Sequence, residues 1–237
     1  MARIKKEFGE GTLFSAANYI SWFLIGNFYF LLLNIPLIVV LVLFLTNELS
    51  QLPQGFAFIF ILCSIPVGPS ITALLSTMGK LVRNKDIDIT RDFFKAYKVS
   101  FWQALFFWTF ELIILSILYI DAKFFISSTY PKALIGLVFI FMAAIFLISL
   151  HIFPLISRFY FNKMDILKIS IYYTFRKFSN TTMNLAIILT ASFIFFRITS
   201  VIVVCIFSII CYGIMFFEQK ILLDIEDKFI NKKDDSA

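Results

Sequence analysis

The chain has 237 residues, of which 60% are hydrophobic and only 15% charged, and its mean hydropathy is +0.91. A water-soluble domain carries roughly a quarter charged residues, so there is too little polar surface here to clothe a soluble globule. The excess of 21 Lys and Arg over 15 Asp and Glu points, in so apolar a chain, to loops flanking membrane helices rather than to nucleic acid.

A spanning helix needs about 20 largely apolar residues, and the chain offers such runs in order. Arg3, Lys5 and Lys6 precede a first run at 19–45, far longer than the ~7–15 apolar residues of a cleavable signal, so it is expected to remain as the first span. A short polar loop with Pro53 and Gly55 leads to a second span at 56–78, broken by Ile65-Pro66-Val67-Gly68-Pro69. Each proline deletes a helical hydrogen bond and crowds the preceding turn. A plain kink and a transporter-like discontinuous helix both fit that motif. A third span follows at 101–120 and a fourth at 132–153, ending before Pro154.

The last apolar block, 183–217, is interrupted at Arg197-Ile198-Thr199-Ser200. It reads as spans 179–196 and 200–217 with a tight turn, or as one long kinked helix. Charge separates the two. With six spans and an internal start, all but Lys123, Lys132 and Arg197 of the 21 basic residues fall on one side, as the positive-inside rule requires. Residues 218–237 then form a cytoplasmic tail. Two stretches outside the spans read as basic amphipathic interfacial helices. One is 90–100, with Phe93, Phe94 and Tyr97 at helical spacing among Arg91, Lys95 and Lys98. The other is 165–178, with Ile169, Tyr172, Tyr173 and Phe175 among Lys168, Arg176 and Lys177. The expected fold is therefore all-α: a single polytopic transmembrane bundle of about six spans, both termini cytoplasmic.

No catalytic constellation stands out. The single histidine, His151, excludes a paired-histidine metal motif, and Cys63, Cys205 and Cys211 sit in apolar runs without CxxC spacing. No catalytic residue, metal or cofactor is expected. The candidate intramembrane polar residues are Glu111, Asn34 and His151. Glu111 lies midway along the third span, where an ionised carboxylate costs about 2.5–3.5 kcal/mol on insertion scales. It reads either as lining a solute path or as a protonated, hydrogen-bonded stitch between helices. His151 reads as a structural, hydrogen-bonded histidine or as a proton relay. Pro66, Gly68 and Pro69 form the helix-break motif. Arg91, Asp92, Phe93, Phe94 and Arg158 are candidate contacts for a partner or for lipid, Arg158 also suiting the C-terminal end of its helix.

These residues resemble a known pattern. Asn34-x-Pro36, Ile65-Pro-Val-Gly-Pro69 with Ala73, Lys80, Arg91-Asp-Phe-Phe-Lys95, Asp121 and Pro154-Leu-Ile-Ser-Arg158-Phe159, with an early Gly11-x-Leu-Phe14, are similar to the YesL-like family of bacterial integral membrane proteins, a domain of unknown function. The likeness extends from residue 11 to about 180. Members often carry Asn where this chain has Ser100. The resemblance implies a bacterial plasma-membrane location. It also implies a non-enzymatic accessory or regulatory role beside carbohydrate ABC transport, with permease or sensor kinase subunits as partners besides the bilayer. It supplies no catalytic residues and leaves the oligomeric state open. The alternative is a small-solute transporter or channel using the broken second helix and Glu111.

The orientation is directly testable. A green fluorescent protein fused after Ala237 is expected to fluoresce and a fused alkaline phosphatase to be inactive; the opposite pair of results would remove the six-span topology.

Overall fold

The computed structural model describes residues 12–46, 55–85, 87–127, 131–197 and 205–234. Arg3, Lys5, Lys6, Gly11, the loop at Pro53 and the turn expected after Arg197 lie outside them. Among the described residues every element is an α-helix: α1 (Thr12–Leu33), α2 (Ile35–Thr46), α3 (Phe56–Ser64), α4 (Val67–Asn84), α5 (Ile89–Ser127), α6 (Lys132–Arg158), α7 (Lys163–Arg176), α8 (Phe178–Arg197) and α9 (Ile206–Asp234). Five apolar stretches are long enough to cross a membrane: Phe58–Asn84, Ile89–Ser127, Lys132–Arg158, Phe178–Phe195 and Ile206–Lys228. Their exposed faces carry large apolar side chains such as Trp102, Ile120, Ile140 and Phe193, which suit a hydrocarbon solvent and not water.

The first run departs from a simple span. It breaks at Asn34 into α1 and α2, which meet at 76° and make a sixth crossing only if the bent pair is counted as one. Pro36 sits at the second position of α2, where a backbone N–H is not needed. The second break is milder. Pro66 caps α4 and Pro69 lies in its first turn, again where missing donors are tolerated. The run Phe58–Asn84 continues through the break as one candidate span, so the motif is a kink.

Two other boundaries differ from the sequence reading. The segment 90–100 is not a separate helix but the first turns of the 39-residue α5, which is roughly 58 Å long at 1.5 Å per residue. The final helix does not end at 217. It runs on to Asp234, with Ile221, Leu222 and Ile225 buried, so the first turns of the expected tail belong to the bundle. The segment expected at 165–178 is α7, separated from α8 by Lys177.

Helix α4 is the axis of the packing, laid against α1, α5, α6 and α9. Its buried face includes Gly68, Ser70, Thr72, Ala73, Thr77 and Gly79. Small side chains let helix backbones approach closely where no aqueous hydrophobic effect drives association. The hydroxyls of Thr72 and Thr77 donate to the carbonyls of Gly68 and Ala73 on their own helix, at 2.8 and 2.7 Å. They can therefore be buried without a partner across the interface. A Cβ placed on Gly68 would stand 2.3 Å from Cβ of Trp108 and 3.1 Å from the Ala104 carbonyl oxygen, so α4 and α5 touch there at backbone range.

Substituting Gly68→Ala is therefore expected to lower stability by about 2 kcal/mol, the order seen when a packed contact is overfilled. Gly136→Ala, where an added Cβ meets nothing within 4 Å, should leave thermal unfolding in detergent unchanged or slightly raised. Equal midpoints for the two variants would mean that the α4–α5 contact is not close-packed.

Candidate functional site

Two polar constellations occupy the described interior, and each follows from where helices break or meet. The first joins the two breaks. At Asn34 the backbone N–H bonds to the Leu31 carbonyl at 3.0 Å, a tightened turn that frees the carbonyl of Phe30. The Asn34 amide Nδ2 donates to that carbonyl at 2.7 Å and to the Ser70 hydroxyl at 2.7 Å. Ser70 lies just after Pro69, so the break in the first run is tied to the break in the second. The second break is closed from its other side by α5: Trp108 Nε1 donates to the Ser64 carbonyl at 2.7 Å. Backbone groups freed at membrane depth must be satisfied by protein or by cavity water; here protein side chains do it.

The second constellation joins α6, α7, α8 and α9. His151, Thr181, Asn184 and Glu218 are all buried. His151 Nε2 and Thr181 Oγ1 share a hydrogen bond of 2.9 Å, and the same hydroxyl lies 3.2 Å from the Thr174 carbonyl. Asn184 Nδ2 donates to Glu218 Oε1 at 2.6 Å. The same oxygen is 2.9 Å from His151 Nδ1, at ion-pair distance though off the line of a hydrogen bond. A cavity of about 10 Å³ adjoins His151, Glu218, Ser170 and Tyr173, at the lower limit for one water molecule.

Towards the charged end the network continues at the surface. The Tyr173 hydroxyl donates to Asp224 Oδ2 at 2.6 Å, and Lys228 Nζ bonds the same oxygen at 2.9 Å. Burial, and then the carboxylate at its hydroxyl, push the Tyr173 phenol above its usual value. Lys80 reaches both oxygens of Asp92 at 2.7 Å, and Arg158 pairs with Glu226.

The three intramembrane residues singled out by sequence are thus not one site. Asn34 belongs to the helix breaks and His151 to the Glu218 cluster. Glu111 faces a third place, a cavity of about 310 Å³ among α4, α5, α6, α8 and α9, shared with Ser149 and otherwise walled by side chains such as Leu75, Trp108, Phe153, Cys211 and Ile214. The lining is overwhelmingly apolar. Among the candidate contact residues Phe93 is fully buried in the core, whereas Phe94 and Arg91 are exposed and Phe94 packs on Tyr29. Glu218 was missed because it lies in the stretch read as tail. The signal was present: Ile214, Glu218, Ile221, Leu222 and Ile225 form one helical stripe with a single carboxylate in it. Among the described residues no group of three or more His, Cys, Asp or Glu is placed to hold a metal ion.

An all-helical bundle with lipid-suited flanks defines a multi-pass membrane protein. Residues 23–122 match the family described as "Protein of unknown function, DUF624", the family to which YesL-like proteins belong. The match contains both helix breaks and Trp108; His151 and Glu218 lie beyond it. No curated protein and no solved structure matches the chain.

Glu218→Gln keeps an acceptor for Asn184 and a polar partner for His151 and is expected to change stability by less than about 1 kcal/mol. Glu218→Leu strands both and should cost about 3 kcal/mol. Denaturation of the two variants in the same mixed micelle decides: equal losses would show that the carboxylate position is not the hub of the cluster.

Proposed function

We propose that the chain is a non-enzymatic membrane accessory or regulatory protein working beside a carbohydrate ABC transporter or the sensor that controls it. The observation that carries this reading is the nature of the interior. The side chains of Asn34, Trp108, Thr181 and Asn184 bond to freed backbone or to other buried polar groups, and the cavity of about 310 Å³ touching Glu111 is walled, apart from Ser149, by apolar groups. A conduit for a hydrophilic solute needs the reverse, a wall of available polar groups. The carbohydrate-transport context comes from the family resemblance, and the aromatic, basic charged end, with Tyr172, Phe175 and Phe178 exposed on α7 and α8, offers a surface for a partner.

The alternative, a small-solute transporter or channel, takes its support from Glu111 facing a cavity of about 310 Å³. It requires the carboxylate to meet solute or ion.

The two readings separate in one strain. Site-specific photocrosslinking from Phe175 in intact cells is expected to trap a sugar ABC permease or sensor kinase subunit, and Glu111→Gln is expected to leave that adduct unchanged. Absence of any such adduct, together with solute uptake by the purified protein in liposomes that Glu111→Gln abolishes, would replace the accessory role with transport.

A further inference from the structure

We propose that the chain holds one anionic phospholipid at a defined site on its charged end, with the phosphate in a basic cavity between α4, α5 and α6 and an acyl chain in the groove that continues from it along α5.

The headgroup cavity has a volume of about 330 Å³ and is bordered by Lys80, Lys95 and Arg158, with Asp92 the one carboxylate among its lining residues. The lining residues sum to a formal charge of plus two, which Glu226, paired with Arg158 from outside the lining, brings down to plus one. Lys80 gives two contacts to Asp92, which leaves one ammonium hydrogen of that group. Arg158 binds Glu226 through Nη2, while its Nη1 is buried and has no partner among the described residues. Lys95 is exposed and no described carboxylate pairs with it. Lys95 thus brings an unpaired positive charge to the cavity, beside two cations held in ion pairs that each keep an uncommitted N–H, an arrangement that favours a phosphate oxygen cluster.

A soluble anion would need nothing more, but the cavity does not end in water alone. Tyr160 borders both it and a second, larger groove of about 610 Å³. That groove climbs α5 along Trp102, Phe106, Phe110 and Ile113, with Lys163 at its other wall. Lys163 Nζ lies 3.6 Å from the centre of the Phe106 ring. Trp102 and Tyr160 are 76% and 79% exposed, and such amphipathic rings settle at the boundary between headgroups and hydrocarbon. On one side of Tyr160 the lining carries three cations; on the other it is mainly aromatic and aliphatic, with Lys163 the one cation. An anionic amphiphile matches both halves in the order in which they occur.

The test uses the full-length protein in mild detergent, titrated with phosphatidylglycerol or phosphatidylcholine of the same chains and followed by native mass spectrometry. One phosphatidylglycerol is expected to remain bound at collision energies that strip phosphatidylcholine. Lys95→Gln should weaken the retained lipid about fivefold, the effect of one nearby cation. Lys98→Gln, an exposed cation that does not border the cavity, should leave binding unchanged. With chains brominated near the headgroup, Trp102 fluorescence should be quenched by phosphatidylglycerol and not by phosphatidylcholine. Equal retention of the two lipids, or equal weakening by the two lysine variants, would overturn the site. Displacement of phosphatidylglycerol by millimolar inorganic phosphate, with no Trp102 quenching, would overturn the lipid in favour of a free anion.

Discussion

A helix that breaks inside a bilayer uncovers carbonyls and amides that hydrocarbon cannot solvate, each at a cost of several kcal/mol if left alone, and this chain breaks its first two apolar runs within about 30 residues of each other. The structure answers with three short bonds. Asn34 serves its own break at the Phe30 carbonyl and reaches the next one at Ser70, and Trp108 serves the Ser64 carbonyl. Because these partners come from α1, α4 and α5, closing the breaks also fixes how the helices sit against each other. The backbone-range contact at Gly68 brings Trp108 alongside the α3–α4 break.

The second half of the bundle is held differently. There the helices α6, α8 and α9 are bridged by the cluster of His151, Thr181, Asn184 and Glu218, and α7 closes it through the Thr174 carbonyl. Each group is useful only with the others in place, since any one left alone would be an unsatisfied polar atom in a dry interior. The two constellations explain why a chain with so few charged residues still buries several polar ones: they specify which helix meets which, a task that apolar faces immersed in apolar solvent perform poorly.

Much of this was legible in the sequence. Hydropathy located the apolar runs, and Pro66 and Pro69 marked the second break, because proline chemistry acts locally; the break at Asn34 lay inside a run read as one span. What escaped was what depends on partners far along the chain. Nothing in the residues predicted that Asn34 would meet Ser70, or that His151 would meet Glu218 across α9. Helix length escaped for another reason. Between Ile89 and Ser127 there is neither Gly nor Pro, so the change from basic aromatic to apolar character was read as a boundary although the backbone had no cause to stop. The same holds past Phe217, where polar residues appear on the exposed faces while Ile221, Leu222 and Ile225 keep the buried stripe.

The central claim is that the two helix breaks are mutually satisfied through Asn34 and Ser70. A double-mutant cycle with Asn34→Ala, Ser70→Ala and the pair, unfolded reversibly in lipid–detergent mixtures, tests it most directly. The account predicts a coupling of about 1 kcal/mol or more between the two positions. Strictly additive losses would contradict it, since each break would then be closed without the other.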